Sequence, residues 1–104
     1  MSLSTHVLDA ARGRPAEGLP VRLERRDGTA WTPLAEARTD ADGRIREWGG
    51  AEAGAGTYRL TFDTGGLSDF YPEVAVAFTI TDPAQHYHVP LLLSPFAYST
   101  YRGS

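Results

Sequence analysis

The amino-acid sequence predicts an all-β fold, a sandwich or barrel of about eight short strands. Glycine or proline interrupts the chain every several residues, which leaves little room for long helices. Between these interruptions apolar residues alternate with polar ones, as in strands that bury one face. Of the 104 residues, 41% are hydrophobic and 22% are charged, the profile of an ordinary soluble domain. We therefore expect residues 1–104 to form a single domain.

The alternation also indicates where the strands lie. We expect them at Ser4–Asp9, Leu19–Leu23, Trp31–Thr39, Arg44–Glu47, Tyr58–Phe62, Val74–Ile80, His86–Leu93 and in a last run after Ser94. The Asp42-Gly43 pair predicts a hairpin turn, because glycine accepts the positive φ that such turns require.

Composition excludes several classes of function. The chain has no cysteine, which rules out disulfides, thiol redox chemistry and cysteine-ligated metal. Its formal net charge of −3 gives no overall attraction for phosphate backbones, so nucleic acid is not an expected partner. Residues 1–9 lack the basic and apolar regions of a secretory signal, and no apolar stretch approaches the roughly 20 residues that span a bilayer. We expect a cytoplasmic protein without membrane contact.

The segment His86–Leu93 is the most informative strand. If Tyr87 and the alternate apolar residues after it face the core, His86 and His88 lie together on the outer face. The same outer face carries several further apolar residues: Pro90, Leu92 and, from the next strand, Phe96, Tyr98 and Tyr101. A sheet face this apolar is expected to be covered by another subunit.

The same argument from alternation places two more polar side chains outward. With Val7 in the core, His6 faces out, and with Ile45 in the core, Arg44 faces out. Imidazoles are the first candidates for a general base near neutral pH, and a guanidinium binds a carbonyl-rich ligand through paired hydrogen bonds. The pattern predicts a polar site inside a subunit interface.

Three interpretations of the paired histidines remain open from these residues alone. They could be catalytic, they could be solvated histidines at a strand edge, or they could bind zinc, about 7 Å apart by strand rise. Zinc is disfavoured, since apart from Asp82 no third ligand is evident nearby. A calcium loop at residues 40–43 lacks its downstream acidic ligand, and no serine elbow, phosphate loop or dinucleotide motif is present. We predict neither a metal nor a cofactor.

Two stretches of sequence resemble the transthyretin-like 5-hydroxyisourate hydrolases. The opening segment, residues 3–9, followed by Gly13-x-Pro15-Ala16, is similar to the opening signature of that family. The ending, residues 86–104, resembles its closing signature, including the terminal Tyr101-Arg102-Gly103-Ser104. Two internal segments, residues 39–44 and 70–74, match in order, so the resemblance covers essentially the whole chain.

The resemblance implies a transthyretin-like two-sheet sandwich of seven to eight strands, assembled as a homotetramer, a dimer of dimers with active sites between dimers. It implies metal-free hydrolysis of 5-hydroxyisourate in urate breakdown, with His6, Arg44 and His88 as catalytic residues. Within that set His6 and Arg44 also bind the substrate, together with Tyr101 and Ser104. A non-enzymatic transthyretin-like carrier of a small ligand is the alternative, disfavoured because transthyretin lacks the Tyr-Arg-Gly-Ser ending.

Two departures from the family pattern stand out. Ala97 occupies a position where the family usually has glycine, a change that a strand tolerates. The stretch Thr64–Tyr71 is shorter than in most relatives, where a short helix lies between strands. We expect at most one helical turn there.

Overall fold

The computed structural model describes residues 2–49 and 54–103, which form two packed β-sheets. The strands are β1 (Ser2–Asp9), β2 (Arg14–Pro15), β3 (Pro20–Asp27), β4 (Ala30–Arg38), β5 (Arg44–Ile45), β6 (Gly56–Asp63), β7 (Glu73–Ile80), β8 (His86–Ser94) and β9 (Ala97–Thr100). One sheet has the order β2-β1-β8-β9, with β5 also paired to β1. The other has the order β4-β3-β6-β7.

The predicted all-β sandwich is confirmed. The described residues contain nine strands rather than seven or eight, because β2 and β5 are two-residue segments that pair separately with β1. No helix occurs in the described ranges 2–49 and 54–103, and Thr64–Tyr71 forms turns in which the Thr64 carbonyl accepts N–H groups from Leu67 and Ser68. No described segment is a helix long and apolar enough to cross a membrane.

The core lies between the sheets and is built by the alternation seen in the sequence. In β8 the buried residues are Tyr87, Val89, Leu91 and Leu93. Val7 is fully buried and Ile45 is 5% exposed, so His6 and Arg44 lie on the opposite face, as predicted. This burial fixes strand register, because slipping one residue would move every apolar side chain of the strand to the other face.

Two sequence predictions were wrong. Asp42-Gly43 does form a turn, and Gly43 has φ +76°, but the turn joins β4 to β5, which belong to different sheets, instead of closing a hairpin. Tyr98 does not extend the outer face that carries the histidines. The β8–β9 register sets Tyr98 opposite the buried Leu93, and Ser99 takes the place opposite Leu92.

Gly43 is required at its position for two reasons. Its positive φ is disfavoured for other residues, and a Cβ there would lie 2.5 Å from the main-chain oxygen of Val7. The Gly43 carbonyl also accepts the Val7 N–H at 2.7 Å, which ties the turn to β1. The turn therefore has little freedom to adjust to a side chain.

We expect Gly43→Ala to lower the free energy of unfolding by more than the roughly 1–2 kcal/mol that a positive φ costs by itself. The matched control is Gly13→Ala, since Gly13 has φ +68° but a methyl group added there would meet no atom within 4 Å. Urea denaturation of both variants measures the difference. Equal destabilisation would show that the contact with Val7 does not constrain the turn.

Candidate active site

Three neighbouring strands bring the predicted catalytic side chains to one face of the five-stranded sheet. In the antiparallel pair β1·β5, His6 lies directly opposite Arg44. In the parallel pair β1·β8, Ser4 lies beside His88 and His6 beside Pro90, so His88 is the diagonal neighbour of His6. All three predicted residues, His6, Arg44 and His88, are half-buried. We call these three side chains the polar cluster.

Asp40 holds the turn that presents Arg44. Its Oδ1 accepts the N–H groups of Asp42 at 2.9 Å and Arg44 at 3.0 Å, and its Oδ2 accepts a hydrogen bond from Arg46 Nη1 at 2.6 Å. The Arg44 N–H bond, followed by that of Asp42 and the charge of Arg46, holds the pKa of Asp40 below its usual value. The carboxylate thus acts as an anchor for the main chain of the Arg44 strand.

Ser4 connects His88 to the neighbouring histidine, His86. Ser4 Oγ is hydrogen-bonded to His88 Nδ1 at 2.7 Å and to His86 Nε2 at 3.0 Å. The Nδ1 atom of His86 is hydrogen-bonded to Ser2 Oγ. The two imidazoles stack with their centroids 6.5 Å apart and their planes 16° apart. Ser4 of β1 therefore engages Nδ1 of His88, and none of the described residues is hydrogen-bonded to its Nε2.

The C-terminal segment packs against His88 from the other side. The Gly103 N–H donates to the His88 carbonyl at 2.8 Å, and a Cβ at Gly103 would overlap the His88 ring, approaching Cγ to 3.1 Å. Only glycine lets the tail lie this close. The ring of His88 is thus held between Ser4 and Gly103.

The polar cluster favours neutral imidazoles. Burial and then the positive charge of Arg44 lower the pKa of His6, against the main-chain hydrogen bond to Asp42, which raises it. Burial, Arg44 and then the two other histidines lower the pKa of His88. A histidine that stays unprotonated near neutral pH is able to accept a proton from water.

These shifts give a pH prediction. Because both pKa values lie below the ordinary 6.5, we expect kcat/KM to stay level down to about that pH and to fall only below it. The unfolded chain, with ordinary histidines, binds protons more readily than the folded chain, so the free energy of unfolding also decreases as the pH drops through this window. A pH–rate profile with urea denaturation at matched pH tests both. An acid limb centred above 6.5 would contradict the assignment.

Tyr101 and Ser104 are the other two residues that were predicted to bind the substrate. Tyr101 is 59% exposed and lines a groove of about 210 Å³ with Val76 and Phe78, at the edge of the sandwich where β7 and the C-terminal segment meet. Its link with the polar cluster stays a prediction. Ser104 lies outside the described residues. Among the described tail residues, Gly103 contacts the polar cluster, through His88.

The donor set gives little support to a metal centre. Among residues 2–49 and 54–103 no three His, Asp or Glu side chains are grouped so that they could hold an ion. Nε2 of His86 and Nδ1 of His88 are both hydrogen-bonded to the Ser4 hydroxyl and not directed at a shared metal position. The absence of a metal requirement remains a prediction.

Sequence reasoning missed Ser4 and Asp40 as parts of the site, and it did not predict the contact of Gly103 with His88. Ser4 lies two residues before His6, so the alternation already places both on the outer face. The pairing of Ser4 with His88, however, depends on the parallel β1–β8 register. In the sequence, Asp40 suggests only a calcium ligand. The contact of Gly103 with His88 is a tertiary contact that no local pattern shows.

The chain is similar to known proteins over nearly its whole length. The chain is 49% identical over 112 residues to the 5-hydroxyisourate hydrolase of Caulobacter vibrioides, across 98% of this chain and 97% of that protein. The solved 5-hydroxyisourate hydrolase of Klebsiella pneumoniae superposes with a TM-score of 0.85 and 40% identity, covering 99% of this chain and 98% of that one.

A structure of sea bream transthyretin in complex with thyroxine superposes with a TM-score of 0.87 and 33% identity, covering 97% of this chain and 93% of that one. Residues 3–103 match the sequence pattern of the HIUase/Transthyretin family. This match spans nearly the whole chain, including all three members of the polar cluster. The chain belongs to the HIUase/Transthyretin family.

Proposed function

We propose that this protein hydrolyses 5-hydroxyisourate, opening its six-membered ring to give 2-oxo-4-hydroxy-4-carboxy-5-ureidoimidazoline in urate catabolism. The observation that carries the proposal is the polar cluster, in which two imidazoles of lowered pKa lie beside a guanidinium on three adjoining strands. Its relatives named as hydrolases of this substrate are more similar to the chain in sequence, at 49% and 40% identity against 33% for the transthyretin neighbour. Residues 1–104 would act as one hydrolase domain.

The reaction follows from the roles of these groups. A histidine of the polar cluster takes a proton from water as the water oxygen bonds to the ring carbonyl carbon. Arg44 binds the carbonyl-rich ring and stabilises the negative charge that develops on its oxygen. The carbon–nitrogen bond then breaks, and the imidazolium returns its proton to the leaving nitrogen. No step requires a cofactor.

We expect assembly as a homotetramer, a dimer of dimers, to enclose the site. On the outer face, Leu8 and Leu92 lie side by side in the β1–β8 register, next to the polar cluster. Both side chains are half-buried within one protomer. Covering this face with a second subunit would bury the leucines and exclude water from the histidines.

Other parts of the proposal rest on sequence alone. Orientation of the substrate by Tyr101 and Ser104 stays a prediction, as do the cytoplasmic location and the metal-free reaction. Deletion of residues 101–104 tests the role of Tyr101 and Ser104. Fractionation of the native cells tests the location, and an activity assay after treatment with a chelator tests the metal-free reaction.

The proposal is tested with 5-hydroxyisourate generated freshly by urate oxidase. We expect the purified protein to accelerate the loss of its ultraviolet absorbance, with saturation kinetics. Arg44→Ala should raise KM and lower kcat, whereas Arg22→Ala, the matched control at an exposed arginine of the other sheet, should leave both close to wild type. A decay rate unchanged by the wild-type protein would refute the hydrolase function.

A ligand carrier is the second candidate, favoured by the likeness to transthyretin in complex with thyroxine. A carrier would bind an aromatic ligand saturably and leave the absorbance decay of 5-hydroxyisourate unaltered. It would also tolerate alanine at His6 or His88, because neither imidazole would have a proton to move.

A further inference from the structure

His88 is held by a chain of hydrogen bonds that the proposed reaction does not yet explain. The chain runs from His88 Nδ1 to Ser4 Oγ at 2.7 Å, from Ser4 Oγ to His86 Nε2 at 3.0 Å, and from His86 Nδ1 to Ser2 Oγ. Each imidazole lies on the strand beside the serine that it contacts, since Ser2 pairs with His86 and Ser4 with His88. The parallel register therefore builds the chain.

The Ser4 hydroxyl can serve the two rings in only two ways. It has one proton, so between two ring nitrogens it donates to one and accepts from the other. In the first arrangement His88 Nδ1–H donates to Ser4 and Ser4 donates to His86 Nε2. In the second, His86 Nε2–H donates to Ser4 and Ser4 donates to His88 Nδ1, which leaves the proton of His88 on Nε2.

The role of general base selects the first arrangement. Nδ1 of His88 is engaged by Ser4, so Nε2 is the ring nitrogen that a reacting water can approach. A general base needs a lone pair on that nitrogen, and only the first arrangement leaves the lone pair of His88 on Nε2.

We propose that Ser4 and His86 are positioning residues that hold His88 in the Nδ1-protonated form, so that Nε2 of His88 is the atom that takes the proton from water. Ser2 completes the chain by accepting the Nδ1–H of His86. Nε2 lies at the end of the ring away from the main chain, while Nδ1 faces Ser4 and Cδ2 faces Gly103. The inference rests on the proposed hydrolase function and assigns an atom within it.

The first test is spectroscopic and does not depend on activity. The chain has three histidines, so a long-range ¹H–¹⁵N spectrum of histidine-labelled protein resolves each ring. We expect Nδ1–H for His88 in the wild type and in Ser4→Thr, which keeps the hydroxyl. In Ser4→Ala this preference should be lost. Nε2–H for His88 in the wild type would overturn the proposal.

The second test is kinetic, on the same proteins. Ser4→Ala should lower kcat by at least about tenfold while KM stays unchanged, because the hydroxyl contacts the base and not the substrate. Ser4→Thr should restore most of the rate. Thr32→Ala is the matched control, since it removes an exposed hydroxyl from β4 of the other sheet and leaves Ser4 in place, and its kcat should stay within about twofold of wild type.

An unchanged kcat in Ser4→Ala would refute the positioning role even if the hydrolase function holds. Conversely, a wild-type protein that does not hydrolyse 5-hydroxyisourate would refute the proposed function. In that case the ring protonation of His88 would still report whether Ser4 sets it. The two failures are therefore distinguishable.

Discussion

Replacing His88 with alanine is expected to lower kcat for 5-hydroxyisourate by about 10²- to 10⁴-fold, the range that a positioned general base supplies. The structure gives the reason. His88 is a half-buried imidazole that Ser4 of β1 holds by a hydrogen bond. Burial and the positive charge of Arg44 lower its pKa. Alanine removes this proton acceptor. A solvent water molecule replaces it poorly, because the water is not held in one position.

Two controls separate this effect from misfolding. Circular dichroism and sedimentation should show an unchanged β protein of the same assembly, since His88 lies on the outer face and its neighbours Tyr87 and Val89 fill the core. Added imidazole should restore part of the lost rate if a base is what is missing. A variant that keeps the wild-type kcat would remove His88 from the mechanism.

Gly103→Ala is expected to reduce kcat by about 10²-fold, the cost of displacing a reacting group by about 1 Å. The new methyl group would overlap the His88 ring. Either the ring turns and loses its 2.7 Å bond to Ser4, or the tail moves and breaks the 2.8 Å bond from the Gly103 N–H to the His88 carbonyl. In either case His88 would no longer be held in its position between Ser4 and Gly103.

Gly66→Ala is the matched control for this substitution. Gly66 also lies outside the strands, and a methyl group there meets no atom within 4 Å. The unfolding midpoints of both variants should stay near that of the wild type, because Gly103 is not one of the buried core residues. Equal kcat values for the two variants would mean that the close approach of Gly103 to His88 has no catalytic consequence.

Much of this fold could be predicted because alternation is a local signal. Burial of Val7, Ile45 and Tyr87 follows from period-two patterning, and it correctly sends His6, Arg44 and His88 to the other face. The resemblance at both ends of the chain supplied the family and the substrate. Neither inference required knowledge of which strands are neighbours.

The features that were missed or wrong depend on strand pairing. The residues of the turn at Gly43 fit a hairpin, yet the strands that flank it pair in different sheets. The prediction for Tyr98 put it on the wrong face because the length of the β8–β9 turn, which sets the register, is not encoded by alternation. The position of Ser4 beside His88 follows only from the parallel pairing of β1 and β8.

Hydrolysis at this site requires His6 and His88 to act together, and a comparison of single and double variants measures this directly. We expect His6→Ala and His88→Ala each to lower kcat/KM strongly, and the double variant to lose little more than the worse single variant, because residues that act as a unit are far from additive. Losses that simply multiply, or a double variant that still opens 5-hydroxyisourate at the wild-type rate, would contradict a shared catalytic site.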